Sequence, residues 1–83
     1  MSSFNIFFYL HVENKKSKKA LKLLSNIFSD FRFDLEVYPE LTTGSWVNLS
    51  QADADFVSVK LNAVSNLYGI GWRVEPIVVA DML

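Results

Sequence analysis

From Phe4 to Glu13 apolar and polar positions alternate: Phe4, Ile6, Phe8, Leu10 and Val12 fall on one side, and Asn5, Phe7, Tyr9, His11 and Glu13 on the other. A period of two sends successive side chains to opposite faces of a sheet, so this segment is predicted as a strand. Asn14 to Ser17 then offer capping side chains, and Ala20, Leu21, Leu24, Ile27 and Phe28 recur at the spacings of an apolar helical stripe. The period of two returns from Phe31 to Tyr38, with Phe31, Phe33, Leu35 and Val37 against Arg32, Asp34, Glu36 and Tyr38. Pro39 removes a ladder donor and marks the end of that second strand. Leu41 to Ser45 reads as a turn, and Trp46-Val47-Asn48-Leu49 as a short third strand in a hairpin with the second.

Ser50 to Asp53 fits the S-x-x-D pattern, in which a hydroxyl and a carboxylate satisfy the free amides of a first helical turn. The second helix is predicted to turn Phe56, Val59, Lys60, Ala63, Val64 and Leu67 inward and to stop at Gly69, which accepts a left-handed conformation. Trp72 to Val79 is the fourth strand, and Pro76 within it argues for a sheet edge. The order strand, helix, strand, strand, helix, strand resembles the ferredoxin-like, split βαβ topology over the whole chain. That resemblance implies an α+β fold with a four-stranded antiparallel sheet, strands one and three central, and both helices on one face. It carries no function, because many activities share the topology.

Length and composition agree with one domain spanning 1–83. Half of the residues are apolar, with seven Phe, three Tyr and two Trp, so a real core can form. Cysteine is absent, which excludes disulfides, thiolate metal sites and a thiol nucleophile. The apolar run from Phe4 to Leu10 lacks the basic flank and small-residue cleavage pattern of a signal peptide, and no stretch approaches the length of a membrane helix. A cytoplasmic location and no membrane contact are therefore expected. Net charge is −1, yet the charges are sorted: five of the six lysines lie between Lys15 and Lys22, whereas Asp30, Asp34, Glu36, Glu40, Asp53 and Asp55 meet only Arg32 in the middle of the chain.

If Ile6, Phe8 and Leu10 meet the helices, then Phe7, Tyr9 and His11 point to the open face of the sheet, and Trp46 of the adjacent strand is expected to join them. Arg32, Asp34, Glu36, Tyr38, Arg73 and Glu75 would flank them from the edge strands. An uncovered aromatic cluster marks an interaction surface, here for another protein in a heteromeric complex, unless the face is covered by a second copy in a homodimer or by the tail after Ala80. Aromatics on the two central strands also resemble the RNA recognition motif, where rings stack on bases. Gly44-Ser45-Trp46-Val47-Asn48-Leu49 does not match that family's longer signature of a basic residue and glycine followed by alternating aromatics. Asp34 and Glu36 would also repel phosphate, so nucleic acid is not the expected partner.

Lys15, Lys16, Lys18 and Lys19 crowd a helix start whose dipole is already positive, which opposes each by about 0.3–1 kcal/mol. They read either as a solvated surface or as a contact for an anion or an acidic partner. For catalysis there is one histidine and no G-x-S-x-G, H-E-x-x-H or P-loop pattern; Gly69-Ile70-Gly71 follows a helix rather than a strand. Asp34 and Glu36 share a strand face and could pair on a metal or a glycoside, but ordinary edge-strand polarity accounts for them. No enzyme activity, metal or cofactor is expected. In size and in its acidic, cysteine-free composition the chain resembles the small proteins with which phages and mobile elements block host defence, anti-CRISPR proteins included. That resemblance implies an inhibitor whose acidic groups suit a partner lined by Lys and Arg. A nucleic-acid-binding module and a small regulatory or ligand-binding homodimer are the alternatives.

Overall fold

The strand that alternates most strictly in sequence holds the centre of the sheet. In the computed structural model, which describes residues 3–77, β1 (Ser3–His11) is followed by α1 (Ser17–Ile27), β2 (Asp34–Val37), β3 (Leu41–Leu49), α2 (Gln51–Tyr68) and β4 (Gly71–Ile77). The four strands form one antiparallel sheet in the order β2-β3-β1-β4, a small α+β domain compatible with a ferredoxin-like layout. The expected last residues of the fourth strand, Val78 and Val79, and the segment after Ala80 lie outside the described residues.

Ile6, Phe8 and Leu10 of β1 are buried under both helices, with Ala20 and Leu24 from α1 and Ala54, Val57, Leu61 and Val64 from α2. Four aromatic rings occupy one end of this core. Trp46 packs against Phe8, Phe28 and Phe33 at centroid separations of 5.4, 4.9 and 5.1 Å. Phe8 and Phe33 meet edge to face at 5.5 Å, an arrangement that suits the positive edge and negative face of the two rings. The Phe8 ring also fills the space a side chain at Gly44 would need: a Cβ placed on that glycine would come within 2.0 Å of the Phe8 Cζ. Gly44 is thus a close-approach residue inside β3.

The helix ends follow their local chemistry. Ser50 caps α2 by accepting from the Asp53 amide at 3.2 Å, and Gly69 ends it at φ 66°, both as the sequence predicts. At α1 the expected cap is absent, because Lys16 occupies that position and Asn14 and Ser17 are used elsewhere. The Asn14 side chain donates to the Tyr68 carbonyl at 2.9 Å and accepts from the Lys16 amide, which ties the β1–α1 turn to the end of α2. Ser17 donates to the His11 carbonyl at 2.7 Å.

Three expectations need correction. Val64 is the one residue of the predicted α2 stripe that is buried, while Phe56, Val59 and Leu67 are 44%, 69% and 67% exposed. The helix has apolar residues on several sides, and the face that wins, Ala54, Val57, Leu61 and Ser65, carries a polar member. Ser65 is satisfied there, accepting from the Trp72 indole at 3.2 Å and donating to the Asn62 carbonyl. The second strand begins only at Asp34, since Phe31 and Phe33 pack on the core from the preceding loop. The hairpin turn is centred on Pro39 and Glu40, with the Tyr38 amide donating to the Leu41 carbonyl at 2.8 Å, so Leu41 to Ser45 is strand rather than turn.

Candidate binding face

Cross-strand pairing decides which side chains share the face away from the helices, because directly opposed residues of antiparallel strands point the same way. Phe7 is opposite Ser45 on one side and Arg73 on the other, and Ser45 is opposite Asp34. Tyr9 is opposite Thr43 and Gly71, and Thr43 is opposite Glu36. The face therefore presents two parallel rows, Arg73-Phe7-Ser45-Asp34 and Gly71-Tyr9-Thr43-Glu36, with Asn5 and Glu75 above and His11 and Leu41 below. No element among the described residues covers it. Phe7 and Tyr9 are half-buried by their neighbours, while His11, Asp34, Glu36 and Tyr38 are exposed.

The expected placement of Trp46 on this face is overturned. It is 1% exposed and sits on the helix side, opposite Ile6. The regular register from Leu41 to Trp46 puts it there, and an irregularity in β3 follows: Trp46 pairs with Ile6 and Leu49 with Phe4, so both point inward although three positions separate them. Val47 and Asn48 take up the extra length, Asn48 in a left-handed conformation at φ 57° that asparagine tolerates better than most residues. The Asn48 amide donates to the Asn5 side-chain oxygen at 3.1 Å, which fastens the bulge to β1. Trp46 Nε1 is buried with no hydrogen-bond partner among the described residues. An unpaired buried donor costs about 1–3 kcal/mol, so the contribution of this indole lies in its ring packing.

The polar groups of the face are partly engaged with one another. The Arg73 guanidinium lies 5.1 Å from the centroid of the Phe7 ring and pairs with Glu75 at 2.9 Å. The Tyr38 hydroxyl donates to the Glu36 carboxylate, and that hydrogen bond together with the negative charge raises the phenol above its usual range. Tyr9 stands next to Gly71, whose missing side chain leaves one flank of the ring open. The outcome is an aromatic centre with carboxylates on the β2 side and an arginine tied to a glutamate on the β4 side.

Lys15, Lys16, Lys18 and Lys19 are all exposed, at the turn before α1 and in its first turn, on the helix side of the sheet. They are not part of the aromatic face. Among the described residues no group of three or more His, Asp or Glu side chains is placed to hold a metal ion, and no helix is long and apolar enough to cross a membrane. The contribution of Ser45 and Thr43 to the face is absent from the sequence reading, which took both for turn residues. The strict alternation of Leu41, Thr43 and Ser45 with Thr42, Gly44 and Trp46 is the signal that finds them.

No family model matches the chain, and neither a curated protein nor a solved structure matches it.

Proposed function

We propose that this is a non-enzymatic, cytoplasmic protein-binding domain of ferredoxin-like fold that uses the open face of its sheet to occupy a basic functional surface of another protein. The observation that carries the reading is the pair Phe7 and Tyr9 on a central strand, covered by no element among the described residues, with Asp34 and Glu36 on the edge strand beyond β3. Aromatic side chains anchor most protein contacts, and carboxylates at the rim steer a cationic partner towards them. Arg73 already lies over Phe7, so of these two rings Tyr9 has the more to gain from a partner. A surface lined by Lys and Arg to receive nucleic acid is the kind of target such a face fits, which is the mode of action of a phage or mobile-element inhibitor of the anti-CRISPR kind.

The test compares the protein with its Tyr9→Ala and Asp34→Lys/Glu36→Lys variants, first as affinity baits in host lysate and then against the purified protein that the wild type retains. Tyr9→Ala is expected to weaken that complex by about 2 kcal/mol or more, and the charge reversal to slow association and flatten its salt dependence. Tighter binding of a mixed-sequence RNA by the charge-reversed variant would overturn the reading in favour of nucleic-acid recognition. A wild-type dimer that Tyr9→Ala converts to monomer would show instead that the face is covered by a second copy.

A further inference from the structure

On the opposite side of the sheet α1 leaves part of the apolar surface bare. Leu10, Thr42 and Val37 form one cross-strand row that points towards the helices, yet Val37 is 77% exposed. Beside this row a cleft of about 380 Å³ opens between the end of β1, the start of β3 and the first turn of α1. That volume is at the lower end of the roughly 300–1,000 Å³ typical of small-ligand sites. Its apolar wall is Leu10, Leu21 and Val12, the last 62% exposed at the mouth. Here too an expectation is corrected, since Val12 lies beyond the end of β1 and outside the core.

Apart from Thr42, the polar side chains of the cleft divide into two kinds. Asn14 and Ser17 are engaged with backbone groups, Asn14 with Tyr68 and Lys16 and Ser17 with His11. Lys15 and Lys18 line the same cleft and pair with no carboxylate among the described residues, whose one salt bridge is Arg73 with Glu75. The helix start between them has neither a side-chain cap nor an acidic residue in its first turn. Positive charge is therefore gathered, uncompensated, at one end of an apolar trough. The geometry points to a binding site for an aliphatic carboxylate of moderate chain length, its alkyl tail against Leu10, Val12 and Leu21 and its carboxylate between the ammonium groups of Lys15 and Lys18. The site is independent of the aromatic face and lies on the other side of the sheet.

Titration of the isotope-labelled protein with decanoate, followed by amide chemical shifts, tests the assignment. Saturable shifts are expected at Leu10, Val12, Ser17, Leu21 and Thr42. Lys15→Gln/Lys18→Gln should weaken binding by roughly three- to tenfold, the range of two solvent-exposed ion pairs, at a melting temperature no lower than that of the parent, since the helix dipole opposes both lysines. Val12→Glu, which places a carboxylate at the mouth, should weaken it further. Acetate lacks the tail and decyltrimethylammonium lacks the negative charge, and neither should reproduce the shifts. Absence of saturable shifts up to roughly millimolar decanoate, the regime of only about −4 kcal/mol of binding, would overturn the proposal. So would equal binding of the cationic surfactant or of inorganic phosphate, undiminished affinity in the lysine variant, or shifts centred on Phe7 and Tyr9.

Discussion

The contact between Phe8 and Gly44 can be tested as a double-mutant cycle, because the structure supplies each term. Gly44 does not have a positive φ, so an alanine there meets no backbone penalty and its effect is steric alone. Its methyl would lie 2.0 and 2.1 Å from Cζ and Cε2 of Phe8 and 2.9 Å from Cδ2. Comfortable carbon contacts are about 3.5–4.0 Å, so the ring must move by about 1.5 Å. Phe33 and Trp46 already pack against that ring, and it is fully buried, so it has nowhere to go. Gly44→Ala should therefore destabilise by about 3 kcal/mol, the upper end of ordinary overpacking. Phe8→Leu removes the ring atoms that collide and leaves a small cavity, at a cost of roughly 1–2 kcal/mol. In that background the alanine methyl enters vacated space, and Gly44→Ala should be within about 0.5 kcal/mol of neutral. The expected coupling is thus about 2–3 kcal/mol, well above the scatter between independent sites. Urea unfolding of the four proteins, with equal slopes required before midpoints are compared, measures it. Costs that add to within about 0.5 kcal/mol would refute the close approach, and with it the register that places Phe8 and Gly44 opposite each other.

Two further outcomes are expected. Asn48→Val should destabilise by about 1–2 kcal/mol, since a β-branched residue is strained at a left-handed φ, whereas Asn48→Gly should be close to neutral; equal thermal midpoints for the two variants would show that the bulge does not need this conformation. Glu36→Gln removes the negative charge that favours the neutral phenol of Tyr38, so phenolate should form at lower pH than in the parent protein; spectrophotometric titration of the tyrosines checks this, and an unmoved or rising midpoint would contradict the pairing.

The parts of the fold legible in the sequence are those where one local signal has no rival. The alternation of β1 assigns Ile6, Phe8 and Leu10 to the core because a shift by one residue would expose all three. Ser50 and Gly69 bound α2 through backbone chemistry that needs no tertiary information. The α2 face was not legible, because Phe56, Val59 and Leu67 are as apolar as the residues that won. The buried face carries Ser65, whose hydroxyl is satisfied by the Trp72 indole, a partner seven residues away on another element that helical periodicity does not reveal. Gly44 misled for a related reason: in sequence a glycine among threonines and serine looks like a turn, and only the Phe8 ring above it explains its presence in a strand.

The same strand determines how much of the binding face could be read in advance. Phe7, Tyr9, Asp34 and Glu36 follow from alternation, and the pairing of β1 with β3 and of β3 with β2 puts them together as expected. Trp46 does not follow, because reading Leu41 to Ser45 as a turn hides the alternation that sends Trp46 inward with Thr42 and Gly44; the bulge at Val47 and Asn48, which no period of two foresees, then lets Leu49 point inward as well. The removal of Trp46 changes the energetics of the face as well as its membership. With Trp46 in the core and the Phe7 ring partly satisfied by Arg73, the aromatic area left to a partner comes from Tyr9, beside the bare backbone of Gly71, and from the exposed ring of Tyr38 on the edge. A partner that uses this face can therefore pack an apolar group on the Tyr9 ring above Gly71, where no side chain stands in the way. The carboxylates of Asp34 and Glu36, two strands away on the edge, can guide such a partner but cannot replace that contact.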